Sequence, residues 1–138
     1  MIESHYKTVL DHLMGNTLCV VTKHRSNEEI LSYYNAGERV FAENRANELI
    51  TKANSLPEDI RWQFIGHLQR NKVASVLPYV SCIQSLDSLP LAEVIEKEAK
   101  KLNKTVDCLV EFHLAEEDTN KSGLSEADGI SLIESCKS

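Results

Sequence analysis

Lys23 closes an apolar run, Leu18-Cys19-Val20-Val21-Thr22. A lysine at the mouth of a buried strand is partly desolvated, and desolvation disfavours the ammonium and lowers its pKa. A neutral amine there can attack an aldehyde and form a Schiff base. The plainer alternative is a lysine that reaches solvent or pairs with Glu43. Chemistry alone leaves both open. Four further apolar runs each deliver polar groups at their ends: Glu43-Asn44, Gly66-His67, Ser85 with Asp87, and His113. Trp62 and Phe64 are expected in the core, and Arg70 and Lys72 at a solvated helix start. Lys121 lies in the polar loop Glu116 to Gly123. It is either solvated or a secondary amine for an aldehyde or phosphate.

Other chemistries lack their residue patterns. No GxGxxG follows the first apolar run and no GxxxxGK[ST] occurs, which disfavours a dinucleotide fold and a P-loop. Cys19, Cys82, Cys108 and Cys136 form no CxxC pair, so neither a zinc site nor a thioredoxin-type motif is expected. The first three lie in apolar runs and read as buried reduced thiols. A cluster of His67, Asp87 and His113 has metal-ligating types without tight ligand spacing, and no metal is expected.

The elements that must position these groups alternate along the chain. Tyr6, Val9, Leu10, Leu13 and Met14 have helical spacing, ended by Gly15-Asn16. The run 18–22 suits a strand buried on both faces. Ser26 and Glu29 have capping-box spacing for a helix that Gly37 stops. Strands are expected at 39–42, 61–65, 80–84 and 105–112. Helices are expected at 45–55, 71–77, 89–102 and 125–136. Strand starts recur every 20 to 25 residues or so, which implies parallel strands with right-handed helical crossovers. Two architectures compete, an open doubly wound sheet and a (β/α) barrel; in both, the site lies at the C-terminal ends of the strands.

The whole chain has 138 residues, with 42% apolar and 26% charged, enough for one soluble domain with a core. Its 21 acidic against 15 basic residues give a net charge of -6, with no general attraction to nucleic acid. No run approaches the roughly 20 apolar residues of a membrane span. The N-terminus lacks the basic-then-apolar pattern of a secretory signal, so a cytoplasmic protein is expected.

These motifs resemble those of the pyridoxal phosphate homeostasis proteins. Val20-Val21-Thr22-Lys23 is similar to their V-S-K segment, and Phe41-Ala42-Glu43-Asn44 to their F-G-E-N. Trp62 to Lys72 resembles W-H-F-I-G-x-L-Q-x-N-K, the most specific signature. Gln84-Ser85-Leu86-Asp87-Ser88 is similar to H-S-V-D-S. Glu117-Asp118-Thr119 with Lys121-Ser122-Gly123 is similar to E-E-x-K-x-G. The motifs run in order over nearly the whole chain. Ala42, Arg45 and Gln63 depart from a usual glycine, tyrosine and histidine, and one residue is inserted before Lys121.

The resemblance implies an alanine-racemase-like TIM barrel and pyridoxal 5′-phosphate (PLP) held as a Schiff base on Lys23. It places Asn44 near the cofactor ring and gives His113 a position that packs on the pyridine. The expected cofactor-binding set is Lys23, Asn44, Ser85 and His113, with no catalytic residue. Members of the family are longer, and their phosphate-binding segments come later. Residues 1–138 are therefore expected to be one domain, five strands of an incomplete eight-stranded barrel. PLP is expected to be weak or absent in it, because the phosphate contacts are missing. The two outer strands would present open edges. These are met by a homo-oligomer, a strand-swapped dimer or rearrangement to an open sheet. The alternatives to a non-enzymatic homeostasis protein are a PLP-dependent amino-acid racemase-like enzyme and an interaction module without cofactor. Racemase chemistry needs an acid/base opposite the lysine, and none can be placed.

Overall fold

The computed structural model of the chain describes residues 2–114 and 123–137. Helix α1 spans Ile2–His12 and precedes strand β1, Val20–Val21. Four crossovers follow: α2 (Asn27–Asn35) to β2 (Val40–Glu43), α3 (Ala46–Ser55) to β3 (Arg61–Phe64), α4 (Val73–Val76) to β4 (Val80–Leu86) and α5 (Leu89–Lys101) to β5 (Asp107–Val110); α6 (Glu126–Cys136) comes last. A 3-10 turn, Arg70–Lys72, leads into α4 where the sequence pattern suggested one helix.

Local signals account for several boundaries. The Ser26 hydroxyl accepts the Glu29 N–H at 3.3 Å, and the Glu29 carboxylate accepts the Ser26 N–H at 2.9 Å. The capping box expected from the spacing is therefore formed. The Ser88 and Ser125 hydroxyls cap α5 and α6 by accepting the Leu91 and Asp128 N–H, without the reciprocal bond. Loss of the Ser26 cap is expected to cost about 1 kcal/mol. Ser26→Ala should lower the urea midpoint accordingly, and an unchanged midpoint would deny the cap its stabilising role.

All five strands are parallel, in the order β1-β2-β3-β4-β5. This order decides between the two architectures. A doubly wound sheet reverses direction at a switch point and so takes helices on both faces. Right-handed crossovers that always advance the same way put every helix on one face, as in a barrel wall. Successive helices are accordingly neighbours, α3 with α4, α4 with α5 and α5 with α6. The doubly wound alternative is not adopted, and the five strands form an open section of wall with β1 and β5 at its edges.

Register separates the two faces. Phe41, Trp62, Phe64, Val80 and Ile83 lie toward the helices and join Ile30, Leu49, Val73, Leu91 and Ile95 in one buried core. The other row is Val21, Ala42, Gln63, Cys82 and Asp107, the residues that face a barrel interior. Trp62 and Phe64 are core residues as expected, and Arg70 and Lys72 are exposed.

The edge strands are shorter and wetter than their apolar sequences suggested. The run 18–22 contributes only Val20–Val21, and Val21 is 45% exposed. Burial on both faces requires a strand or layer on each side, and β1 has a sheet neighbour on one side only. Strand β5 likewise begins at Asp107 and leaves Leu109 53% exposed. All four cysteines are free thiols. Cys82 is buried as expected, whereas Cys19, just before β1, and Cys108, on β5, are half-buried. Burial still pushes both of these thiols up to about 11, which keeps them protonated and inert.

Candidate functional site

The C-terminal strand ends carry the candidate residues. The chain turns sharply after β1. The Arg25 N–H donates to the Thr22 carbonyl at 3.0 Å, closing a turn over Lys23 and His24. His24 takes φ 60°, as the third residue of a type II turn requires. Lys23 is exposed, and among the described residues its ammonium has no hydrogen bond or ion pair. The desolvation expected of a lysine ending a buried strand does not arise, because β1 is an exposed edge. The expected alternative partner, Glu43, is also taken. Lys52 on α3 forms a buried ion pair with Glu43, and the Thr22 hydroxyl donates to the same carboxylate oxygen at 2.6 Å.

Asn44 follows β2. The register of Val20 with Phe41 and Val21 with Ala42 sets the exit of β1, which leads to Lys23, beside the exit of β2, which leads to Asn44. The Asn44 backbone is held from the other side by Gly66. A Cβ built on Gly66 would lie 2.1 Å from the Asn44 carbonyl oxygen, so only glycine permits this approach. Ala42, where the family pattern has glycine, is fully buried between Val21 and Gln63, and its methyl is accommodated.

Ser85 lies within β4 rather than beyond its end, is 2% exposed, and its Oγ has no hydrogen-bond partner. His113 is half-buried beyond β5. Its N–H donates to the Leu124 carbonyl at 2.9 Å, and the Leu124 N–H donates to the Glu111 carbonyl at 2.8 Å. Gly123 packs on the His113 backbone, where a Cβ would come within 2.8 Å of the nitrogen. Lys23 and Asn44 thus follow neighbouring strands, while His113 stands at the opposite edge of the sheet. Four strand spacings of about 4.8 Å separate β1 from β5, so only sheet curvature brings His113 to face Lys23. Lys121 lies outside the described residues.

His67 and Asp87 come together, with Nδ1 and Oδ2 3.4 Å apart. They stand at a cavity of about 700 Å³ that Gln69, Arg70 and Ser88 also line. His113 does not join them, and among the described residues no group of three His, Cys, Asp or Glu side chains could hold a metal. A second cavity of about 450 Å³ opens beside Asn44, Arg45 and Lys72.

Sequence reading missed Lys52 and the role of Thr22. The available signal was Lys52 itself, which falls among Leu49, Ile50 and Ala53 on the apolar side of its helix. A charge there needs a buried partner, and Glu43 is fully buried.

Comparisons place this geometry among known proteins. No protein-family model matches the chain. The pyridoxal phosphate homeostasis protein of Aquifex aeolicus is 40% identical over 108 residues, covering 78% of this chain and 47% of its own length. The chain spans about half the length of the curated relatives it matches. Among solved structures, PipY of Synechococcus elongatus without PLP superposes with a TM-score of 0.91 at 30% identity, covering 98% of this chain and 64% of PipY. PipY with PLP bound gives 0.87 at 27% identity, covering 99% and 64%. No helix among the described residues is long and apolar enough to cross a membrane.

Proposed function

We propose, from the kinship of this chain with the N-terminal portion of the pyridoxal phosphate homeostasis proteins, that it binds PLP through Lys23. One observation carries the reading. The Lys23 amine is exposed at the C-terminal edge of the sheet, with no partner among the described residues, because Lys52 and Thr22 occupy the Glu43 carboxylate. An unpaired primary amine is the donor that an aldehyde requires, so the residues present fit the group.

Lys23 Nζ condenses with the PLP aldehyde, releasing water and leaving a Schiff base. When bound, PLP supplies an electron sink. Asn44, at the exit of the neighbouring strand, would offer an amide to the polar edge of the ring. The orphaned Ser85 hydroxyl, buried within β4, is a spare hydrogen-bonding group, and the His113 imidazole would be an aromatic surface. Residues 1–138 form one domain, the first part of a (β/α)8 barrel. Barrel phosphate sites follow strands seven and eight, which lie outside this segment. Residues 1–138 on their own, without charge-assisted phosphate contacts, are proposed to hold PLP weakly and exchangeably. The role in keeping with the name of the relatives, PLP homeostasis, is holding and releasing PLP rather than turnover.

Borohydride reduction in the presence of PLP tests this. The pyridoxyl label is expected on the Lys23 peptide, and Lys23→Ala should take up none there or in compensation elsewhere. Dialysis before reduction should remove most of it. Equal labelling of many lysines would overturn the assignment of Lys23. Full labelling after dialysis would overturn weak attachment.

A further inference from the structure

Burying a lysine on an amphipathic helix is costly, and apolar residues of similar size usually serve packing as well or better. Lys52 is nevertheless 8% exposed on α3, beside a Glu43 with no exposure at all. Its contacts explain what the charge achieves. Nζ donates to the Thr22 carbonyl at 2.7 Å and to Glu43. The same Thr22 carbonyl accepts the Arg25 N–H that closes the turn over Lys23. Thr22 is further tied to β2 by its N–H, which donates to the Ala42 carbonyl at 3.0 Å, and by its hydroxyl on Glu43. Glu43 in turn immediately precedes Asn44, and its carbonyl accepts the Ile65 N–H at 2.9 Å. One ammonium therefore grips the backbone just before Lys23 and the side chain just before Asn44. It also keeps the Glu43 carboxylate occupied, so that the Lys23 amine stays unpaired.

We propose that Lys52 is a positioning residue for Lys23, holding the turn after β1 through the Thr22 carbonyl and Glu43. The proposal rests on Lys23 as the PLP-binding lysine, and the test separates the two.

The informative variant is Lys52→Met/Glu43→Leu, which removes both charges at once. Replacing a buried ion pair by apolar residues is compatible with folding. Thr22 keeps the Ala42 carbonyl, 3.1 Å from its hydroxyl. Lys52→Met/Glu43→Gln serves where the first variant does not fold. Two quantities are read on the 138-residue chain: hydrogen exchange of the Arg25 amide, and borohydride-trapped PLP on Lys23 with Lys100 as internal control. Arg25 exchange should rise, and Lys23 labelling fall, by about tenfold, the worth of one hydrogen bond from a charged donor. Labelling of Lys100 should not change. Wild-type protection at Arg25 together with wild-type labelling at Lys23 overturns the proposal. Faster Arg25 exchange with no Lys23 label even in the wild type supports the clamp and overturns the cofactor reading alone.

Discussion

Replacing Gly66 by alanine is expected to destabilise the chain by about 3 kcal/mol or more, beyond the usual range for overpacking. The added methyl would stand 2.1 Å from the Asn44 carbonyl oxygen, 2.8 Å from its carbon and 2.9 Å from its Cα. All three are backbone atoms, so no side chain can swing away. Relief requires β3 and the β2 exit to separate, which strains the Ile65 N–H to Glu43 carbonyl bond directly beside them. Gly129 supplies the comparison. There the methyl would meet the Phe112 ring at 2.2 Å, but that side chain is 36% exposed and free to move. Equilibrium urea denaturation of Gly66→Ala and Gly129→Ala should show a much larger loss for the first. Equal small losses would contradict the close packing of Asn44 on Gly66.

The second large effect comes from removing one partner of the buried pair. Lys52→Met leaves the fully buried Glu43 carboxylate with only the Thr22 hydroxyl, since its Oε2 already lacks any partner. Breaking a buried pair from one side costs about 3–5 kcal/mol, because the remaining charge is uncompensated. Glu48, 3.8 Å from Lys52 Nζ, is carboxylate too and offers no relief. Adding Glu43→Leu should recover most of the loss, so the two changes are strongly non-additive. A single variant as stable as the parent would show that the pair is dispensable.

Legibility from sequence followed the strength of the local signals. The capping box at Ser26, the amphipathic helix after Ser88 and the buried Phe41, Trp62 and Phe64 were all readable, because each depends on neighbours within a few residues. The edge strands were not. Leu18 to Thr22 is apolar enough for a central strand, and nothing within it says that a neighbour stands on one side only. Periodicity alone left barrel wall and doubly wound sheet open, since strand order is a property of crossover direction and not of any one segment; the motif resemblance implied the barrel. At the site, the lysine ending the first strand and the asparagine after the second were legible by type and position. That their strands are neighbours came from the pairing of β1 with β2. The Lys52–Glu43 pair links positions nine residues apart on a strand and the following helix. Only the crossover geometry brings them together, and the sequence had suggested Lys23 for that carboxylate instead.

The strand order has a consequence for how the chain acquires its structure. Each strand pairs with the strand before it in sequence, and no pairing skips a unit. Each βα step therefore closes a loop of only about 20 residues, for which the entropy of ring closure is modest. Such nearest-neighbour growth belongs to the fast side of the relation between contact separation and folding rate. It also suits emergence from a ribosome, where N-terminal segments are released first. The strand already formed then serves as the template for the one being made.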